Sequence, residues 1–356
     1  MVATAAGEMQ GPRVAAWLPR LDVEVENLRA AMDWGFETDP VSAIDLVVGV
    51  GQHWRHRQAW TEGAARLRQA VAAYRALPPA TGDERPARLV LGARLLSTAG
   101  QAASVAGRRT PEALGWTEES LRLARASGDR RAISMSLMAV GLAQVFDGAG
   151  AEELAPVYEE LLPLSEELEE WSQVAYLAAN YASSLSIDEP AAADPWLERA
   201  RESARRSQDP AAIAFAATTR GRIFGRRGDL GEARRSFDEA EALYRETISA
   251  WLSLGQGGVV ANQLESVAYL ALRRGDPSQA ATLLGAAEAI RERSDAPMLP
   301  DERVEHRAEV ERLRGAADRE LVGRAWGEGR ALSMEDATAL VLVGEPAKWM
   351  ATGDAP

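Results

Sequence analysis

The sequence contains no cysteine, one lysine and three histidines in 356 residues, and each shortage removes a kind of chemistry. Without cysteine there is no disulfide framework, thiolate zinc site, iron–sulfur cluster or thiol nucleophile. The lone lysine, Lys348, lies between Ala347 and Trp349, so the Gly-Lys-Ser/Thr of a phosphate loop is missing. Long apolar runs are missing too: the longest, near Ile44 to Val50, contains Asp45 and is too short to span a bilayer. Met1 to Pro12 lack the basic region and apolar stretch of a secretion signal. The expectation is a cytoplasmic chain with no membrane partner. Forty basic residues face 53 acidic ones, a net charge of −13, which opposes general nucleic-acid binding because that draws on phosphate neutralisation.

What is abundant is alanine, glycine and arginine, a composition expected of a GC-rich bacterial genome. Apolar residues recur at helical spacing almost throughout, and period-two alternation is absent, which predicts an all-α chain. Small residues punctuate it: Gly100, Gly141, Asn180, Gly221 and Ala268 stand 41, 39, 41 and 47 residues apart. A period near 40 predicts stacked helical hairpins. The segment Ala212 to Arg245 shows the unit best, with Gly221, Phe224, Ala233, Phe237 and Ala240 at the small and bulky positions of a tetratricopeptide repeat, and Gly228-Asp229 as its turn. Ala268, Ala271, Gly275-Asp276, Ala280, Leu284 and Ala287 repeat the scheme. Earlier units are degenerate, with linkers at Ser127-Gly128-Asp129 and Ser207-Gln208-Asp209-Pro210.

The predicted architecture is therefore an α-solenoid of tetratricopeptide-like helical hairpins with terminal helical caps. Its divisions are a flexible N-terminus (1–11), an N-terminal helical layer (12–80), the repeat array (81–298), a C-terminal helical cap (299–343) and a flexible tail (344–356). Pro78-Pro79 and Thr81-Gly82-Asp83 mark the first boundary, Pro297 and Pro300 the last. Ser333-x-x-Asp336 resembles a capping box that starts a short final helix. The tryptophans at 17, 34, 54 and 60 crowd the first layer and are expected in its core.

Both ends carry a more specific resemblance. Ala16-Trp17-Leu18-Pro19-Arg20-Leu21-Asp22, followed by Glu26-Asn27-Leu28-Arg29-Ala30-Ala31-Met32-Asp33-Trp34, looks like the entrance to the C-terminal helical region of LuxR- and AfsR-type transcriptional regulators. Leu283-Leu284-Gly285-Ala286-Ala287-Glu288 and Trp326-Gly327-Glu328-Gly329-Arg330-Ala331-Leu332-Ser333 look like its exit. Such regulators join NTPase and DNA-binding domains to a tetratricopeptide-like sensor array, and the resemblance covers Pro12 to Val343. It implies a noncatalytic regulatory binding surface for a protein, peptide or small anionic effector, with an NTPase/DNA-binding regulator as candidate partner. ATPase activity and DNA recognition are not carried over, since the resemblance covers neither an NTPase nor a DNA-binding domain.

Catalytic signatures are absent: there is no Gly-x-Ser-x-Gly elbow, His-Glu-x-x-His or Gly-x-Gly-x-x-Gly. No catalytic residue, cofactor or metal site is predicted. His53 and His56, three apart, could share a metal with a carboxylate, but core packing is the simpler expectation. Glu159-Glu160, Glu166-Glu167 and Glu169-Glu170 interleave with Leu161, Leu162, Leu164 and Leu168, which reads as the solvated face of an amphipathic helix. The sharper candidate is Arg220-Gly221-Arg222-Ile223-Phe224-Gly225-Arg226-Arg227, echoed by Arg273-Arg274. The tetratricopeptide register turns Phe215, Thr218, Arg222 and Arg226 into a concave groove, then Asn262, Glu265, Tyr269 and Arg273, with Val174, Leu177 and Tyr181 from the preceding layer. Guanidinium groups there would grip a carboxylate, phosphate or acidic peptide. Two alternatives remain: an enzyme or accessory component holding a small substrate in the helical cavity, and DNA contact through the Arg220 to Arg227 patch.

Overall fold

A computed structural model of the chain describes residues 14–57, 59–105, 111–188, 190–227, 230–253, 257–294 and 300–343, with isolated positions 2, 4, 5, 296 and 298. Among the described residues are 17 α-helices, one 3₁₀ turn and no strand, so the chain is all-α. It divides into two compact units, Met1–Ala212 and Ile213–Pro356, and the dividing line falls within the stretch read from sequence as one array.

Unit 1 holds α1 (Val14–Val23), α2 (Val25–Thr38), α3 (Pro40–Arg57), α4 (Trp60–Ala76), α5 (Glu84–Val105), α6 (Pro111–Ser127), α7 (Arg130–Asp147), α8 (Ala151–Glu167), α9 (Trp171–Asp188) and α10 (Asp194–Ser207). The helices pack serially: α3 on α4 and α5, α5 on α6 and α7, then α7 on α8, α8 on α9 and α9 on α10. Local chemistry sets where they stop. Gly128 takes φ 72° and Asp129 accepts the Ala132 N–H at 2.7 Å, capping α7, as expected where a left-handed residue precedes an N-cap. Gln208 takes the same left-handed role at φ 54° ahead of Pro210, and Gly82 turns between α4 and α5.

Leu18, Leu21, Met32, Ile44, Leu95, Leu96, Leu137, Leu154, Leu161 and Leu162 are fully buried in this unit. Of the first-layer tryptophans, Trp54 is buried, whereas Trp34 is 67% exposed. The expectation of a core role fails for Trp34 because α2 buries Leu28, Met32 and Gly35, a stripe at i, i+4 and i+7 that leaves position 34 outside it. The Trp60 side chain lies outside the described residues. On α8, Leu161, Leu162 and Leu164 are buried, while the acidic side chains meet neighbours rather than water alone. Glu160 pairs with Arg125, Glu167 with Arg130, and Glu166 with Arg199 at 2.9 Å. Glu170 accepts a hydrogen bond from Ser134 at 3.0 Å, and burial pushes its carboxyl above the ordinary value, against that bond and the Arg131 charge.

Unit 2 is built from α11 (Pro210–Arg227), whose first residues belong to the preceding unit, α12 (Leu230–Ser253), α13 (Gly257–Arg273), α14 (Pro277–Ser294), α15 (Pro300–Ala316), α16 (Arg319–Arg330) and α17 (Met334–Val343). Helix α13 is buried along nearly its whole length from Val260 to Leu272. Its partners are α14, α12, α17 and α15, and α14 packs closely on α16. Val260, Leu264, Ala268, Leu283, Leu284, Ala287, Leu313, Ala325 and Val341 share this core. The α13–α14 turn is as its sequence predicts: Gly275 has φ 81°, Asp276 accepts the Gln279 N–H at 2.9 Å, and Pro277 opens the helix. At α17, Ser333 Oγ accepts the Asp336 N–H at 2.9 Å and donates to the Asp336 carboxylate at 2.8 Å. Gly228 and Asp229 lie outside the described residues.

Candidate functional site

The groove residues assigned from the repeat register divide by unit. Tyr181 belongs to unit 1, where it stacks on Tyr158 with ring centroids 5.1 Å apart and meets Trp196 edge-on at 4.7 Å. Val174 and Leu177 are buried on the same helix. An aromatic cluster of this kind is core packing, so the part of the groove assigned to α9 is interior. In unit 2, Phe215 is half-buried, Thr218 is buried, and the Arg226 side chain lies outside the described residues.

The remaining five do come together. Arg222 on α11 donates to Ser266 Oγ at 3.2 Å and stands 5.9 Å from the Tyr269 ring centroid. Ser266, Asn262, Glu265, Tyr269 and Arg273 follow one another along α13. Glu265 accepts both hydrogen bonds of a bidentate pair from Arg291 on α14, at 2.7 and 2.8 Å. Both side chains are largely buried, with exposures of 4% and 11%. Burial disfavours the Arg291 charge, yet the Glu265 bonds and charge outweigh it and hold the guanidinium above its ordinary pKa.

The expectation of an open groove is corrected here, because α15 occupies that face. Asn262 donates to Glu302 at 2.9 Å. Arg222 pairs with Glu305 at 3.2 Å. Tyr269 Oη is 3.1 Å from His306 Nδ1, and Arg273 donates to Glu309 at 2.7 Å. Positions 302, 305, 306 and 309 are i, i+3, i+4 and i+7, one face of a helix. The physical reason is charge balance: guanidinium groups turned toward a low-dielectric interior need carboxylates, and α15 presents Glu305 and Glu309 to Arg222 and Arg273.

Burial shapes the electrostatics of this contact. Burial raises the Tyr269 phenol far above its ordinary value, reinforced by the Glu265 charge. Burial lowers His306, with Arg291 adding to the shift against Glu265. The phenol therefore stays protonated and the imidazole neutral, which makes Tyr269 O–H the natural donor to Nδ1. Arg273 is pulled below its ordinary value by burial, against the Glu309 charge.

Among the described residues, the arginine side chains of the run do not share one face. On α11, Arg220 and Arg227 both lie over the Phe224 ring, at 5.2 and 5.4 Å, and Arg220 also pairs with Glu232 at 3.2 Å. Residues 220, 224 and 227 form one helical stripe, and 222 falls on another. Arg274 is turned to Asp238 on α12 at 3.0 Å.

Arg291, Glu302, Glu305, His306 and Glu309 were missed as partners of this face. The signal was present in the run Pro300 to Ala316, whose glutamates recur at helical spacing, but nothing local says which surface they meet.

The two end motifs prove to be packing devices. Leu18, Leu21, Leu28 and Met32 are buried. Asp22 accepts from Arg57 at 3.0 Å and lies 2.9 Å from His53 Nε2. Arg29 donates to both Glu62 oxygens at 2.7 and 2.6 Å, and Asp33 pairs with Arg66, tying α1 and α2 to α3 and α4. His53 is thus a buried partner of Asp22, and the His56 side chain lies outside the described residues. At the exit motif, α14 and α16 touch backbone to backbone. A Cβ on Gly285 would stand 2.2 Å from Trp326 O, and one on Gly329 would stand 1.9 Å from Thr282 O. Trp326 Nε1 donates to Glu288 at 2.8 Å, and Arg330 pairs with Glu288 and Glu292.

No protein-family model matches the chain, and no curated protein matches it. Among solved structures, the crystal structure of BtubC (BKLC) from P. vanneervenii is similar over 64% of this chain and 90% of that one, at 15% identity and a TM-score of 0.44.

Proposed function

We propose that the chain is a noncatalytic regulatory interaction module, a tetratricopeptide-like α-solenoid of the kind the LuxR- and AfsR-type resemblance implies, acting in a bacterial signalling or transcriptional regulator. Its binding surface is the polar face of α11 and α13, and what it takes is an anionic protein segment or effector. One observation carries this reading: Arg222, Asn262, Tyr269 and Arg273 make side-chain contacts to four positions on one face of a single acidic helix. That is the contact pattern of helix-in-groove recognition, read at i, i+3, i+4 and i+7. Charge-assisted bonds from planar guanidinium groups give such a face its preference for carboxylates.

The test removes the internal complement first. In E302Q/E305Q/E309Q the face lacks its own carboxylates, and a labelled poly-glutamate peptide is titrated into the purified full chain. Saturable binding that is weakened at least ten-fold by adding R222Q/R273Q is the expected result. No binding, or binding unaffected by the two arginine changes, would overturn the assignment of this face.

A further inference from the structure

Helix α15 is held differently from α13 and α14, the helices at the centre of its core. Its buried residues among those described are Glu309 and Leu313, while Val304 is 68% exposed. Helices α13 and α14 instead bury most of their length in apolar contacts. The hold on α15 is therefore mainly polar, through the Glu302, Glu305, His306 and Glu309 contacts, with Val310 and Leu313 as the apolar anchor. When such contacts open together both partners return to water or to an equivalent partner, so what is lost is the net gain over hydration and not the whole strength of each bond.

The chain on either side of α15 is held independently of it. Before it, Ser294 ends a helix that is buried at Leu283, Leu284, Ala287 and Ile290. After it, α16 is clasped to that same helix at Gly285 and Gly329, and by the Trp326 and Arg330 bonds to Glu288. Releasing α15 breaks none of these contacts. It would leave a strap tethered at both ends, and it would expose to water a surface bearing Arg222, Asn262, Tyr269 and Arg273.

We infer that α15 is an exchangeable internal occupant of the α11–α13 face, and that the partner which displaces it is an acidic amphipathic helix carrying carboxylates at i, i+3 and i+7. This rests on the reading of that face as a helix-binding surface and adds its regulation. A tethered occupant acts at an effective concentration of order millimolar, so a partner that merely copies α15 competes poorly. Its apparent affinity is reduced by the fraction of chains in which the face is vacant. The device gates binding: a partner wins by adding contacts beyond the four, or when the α15 carboxylates are neutralised.

A fluorescent peptide of residues 300–316 is titrated into the full chain in three forms: wild type, E302Q/E305Q/E309Q, and that neutralised variant with R222Q/R273Q added. The neutralised chain is expected to bind at least ten-fold more tightly than wild type, and to lose that gain when R222Q/R273Q is added. Hydrogen exchange on the unmodified wild type should show α15 amides exchanging at least ten-fold faster than those of α13 and α14, a measurement that needs no variant to fold. Equal binding by the wild-type and neutralised chains, or α15 amides as slow as those of α14, would overturn the inference. If poly-glutamate still binds the neutralised chain through Arg222 and Arg273, the face stands as an interaction surface and only the exchange of occupants is lost. If that probe fails as well, the underlying reading falls with it.

Discussion

Glu265 and Arg291 are the clearest case of a residue pair whose sequence identity conceals its role. Read from the repeat register, Glu265 is a groove residue; in place, it is the internal counter-ion of α14. Removing one member of a buried pair strands the other, at a cost of about 3–5 kcal/mol, whereas replacing both with apolar side chains of similar volume is close to neutral. E265A should therefore lose stability in that range by urea denaturation, and E265L/R291M should recover most of it. Full recovery by R291M in the E265A background, without the leucine, would also fit a stranded charge; no recovery in either would not. His306 supplies a pH dependence with a definite sign. Its folded pKa lies below the ordinary 6.5 because of burial, so its contribution is present above that value and is lost as pH falls through the folded pKa. Stability measured from pH ~7 to ~5 should decline in wild type and decline less in H306Q.

At the scale of helices, the decisive feature is the crossing of α14 and α16. Gly285 and Gly329 permit backbones to touch, and a methyl group at either position meets a carbonyl oxygen of the facing helix, which cannot move aside like a side chain. G285A and G329A should each cost ~1–3 kcal/mol as overpacking, visible as a drop of several degrees in Tm. Gly323 on α16 is the control, since nothing lies within 4 Å of its would-be Cβ. There the ordinary helix propensity governs, and G323A should stabilise by ~0.5–1 kcal/mol. Opposite signs for glycines on one helix would show that the exit motif is a clasp between α14 and α16. Equal effects would refute that. The motif was visible in the sequence through Trp326-Gly327-Glu328-Gly329-Arg330, but its meaning was not: only a partner backbone distinguishes Gly329 from Gly327.

Across the whole molecule, 53 acidic groups and 39 arginines make carboxylate ionisation a condition of stability. Arg57 and His53 bonds outweigh burial to lower Asp22. Arginine bonds lower Asp33, Glu62 and Glu292, and Ser42 bonds lower Asp39. Each is depressed in the folded state, so its contribution is present above the unfolded value near ~4 and is lost as pH falls through the folded one. Chemical denaturation should show stability falling below pH ~4, in addition to the His306 step at higher pH. Charge neutralisation at Asp33 by D33N should reduce the acid-range slope without altering the slope near neutrality.

The sequence by itself determined the all-helical class, the position of turns such as Gly128-Asp129 and Gly275-Asp276, and the stripe of polar residues along α13. These are local consequences of backbone freedom, cap hydrogen bonds and helical periodicity, each settled within a few residues. The tertiary structure alone decided that Tyr181 is core, that Trp34 faces outward, and that α15 lies against Arg222 and Arg273. The α13–α15 contacts alone join residues 36 to 40 positions apart, and Arg222 reaches Glu305 from another helix again. Nearly all the basic residues are chemically identical and the acidic ones nearly so, so which arginine meets which carboxylate is selected by packed geometry and not by residue type.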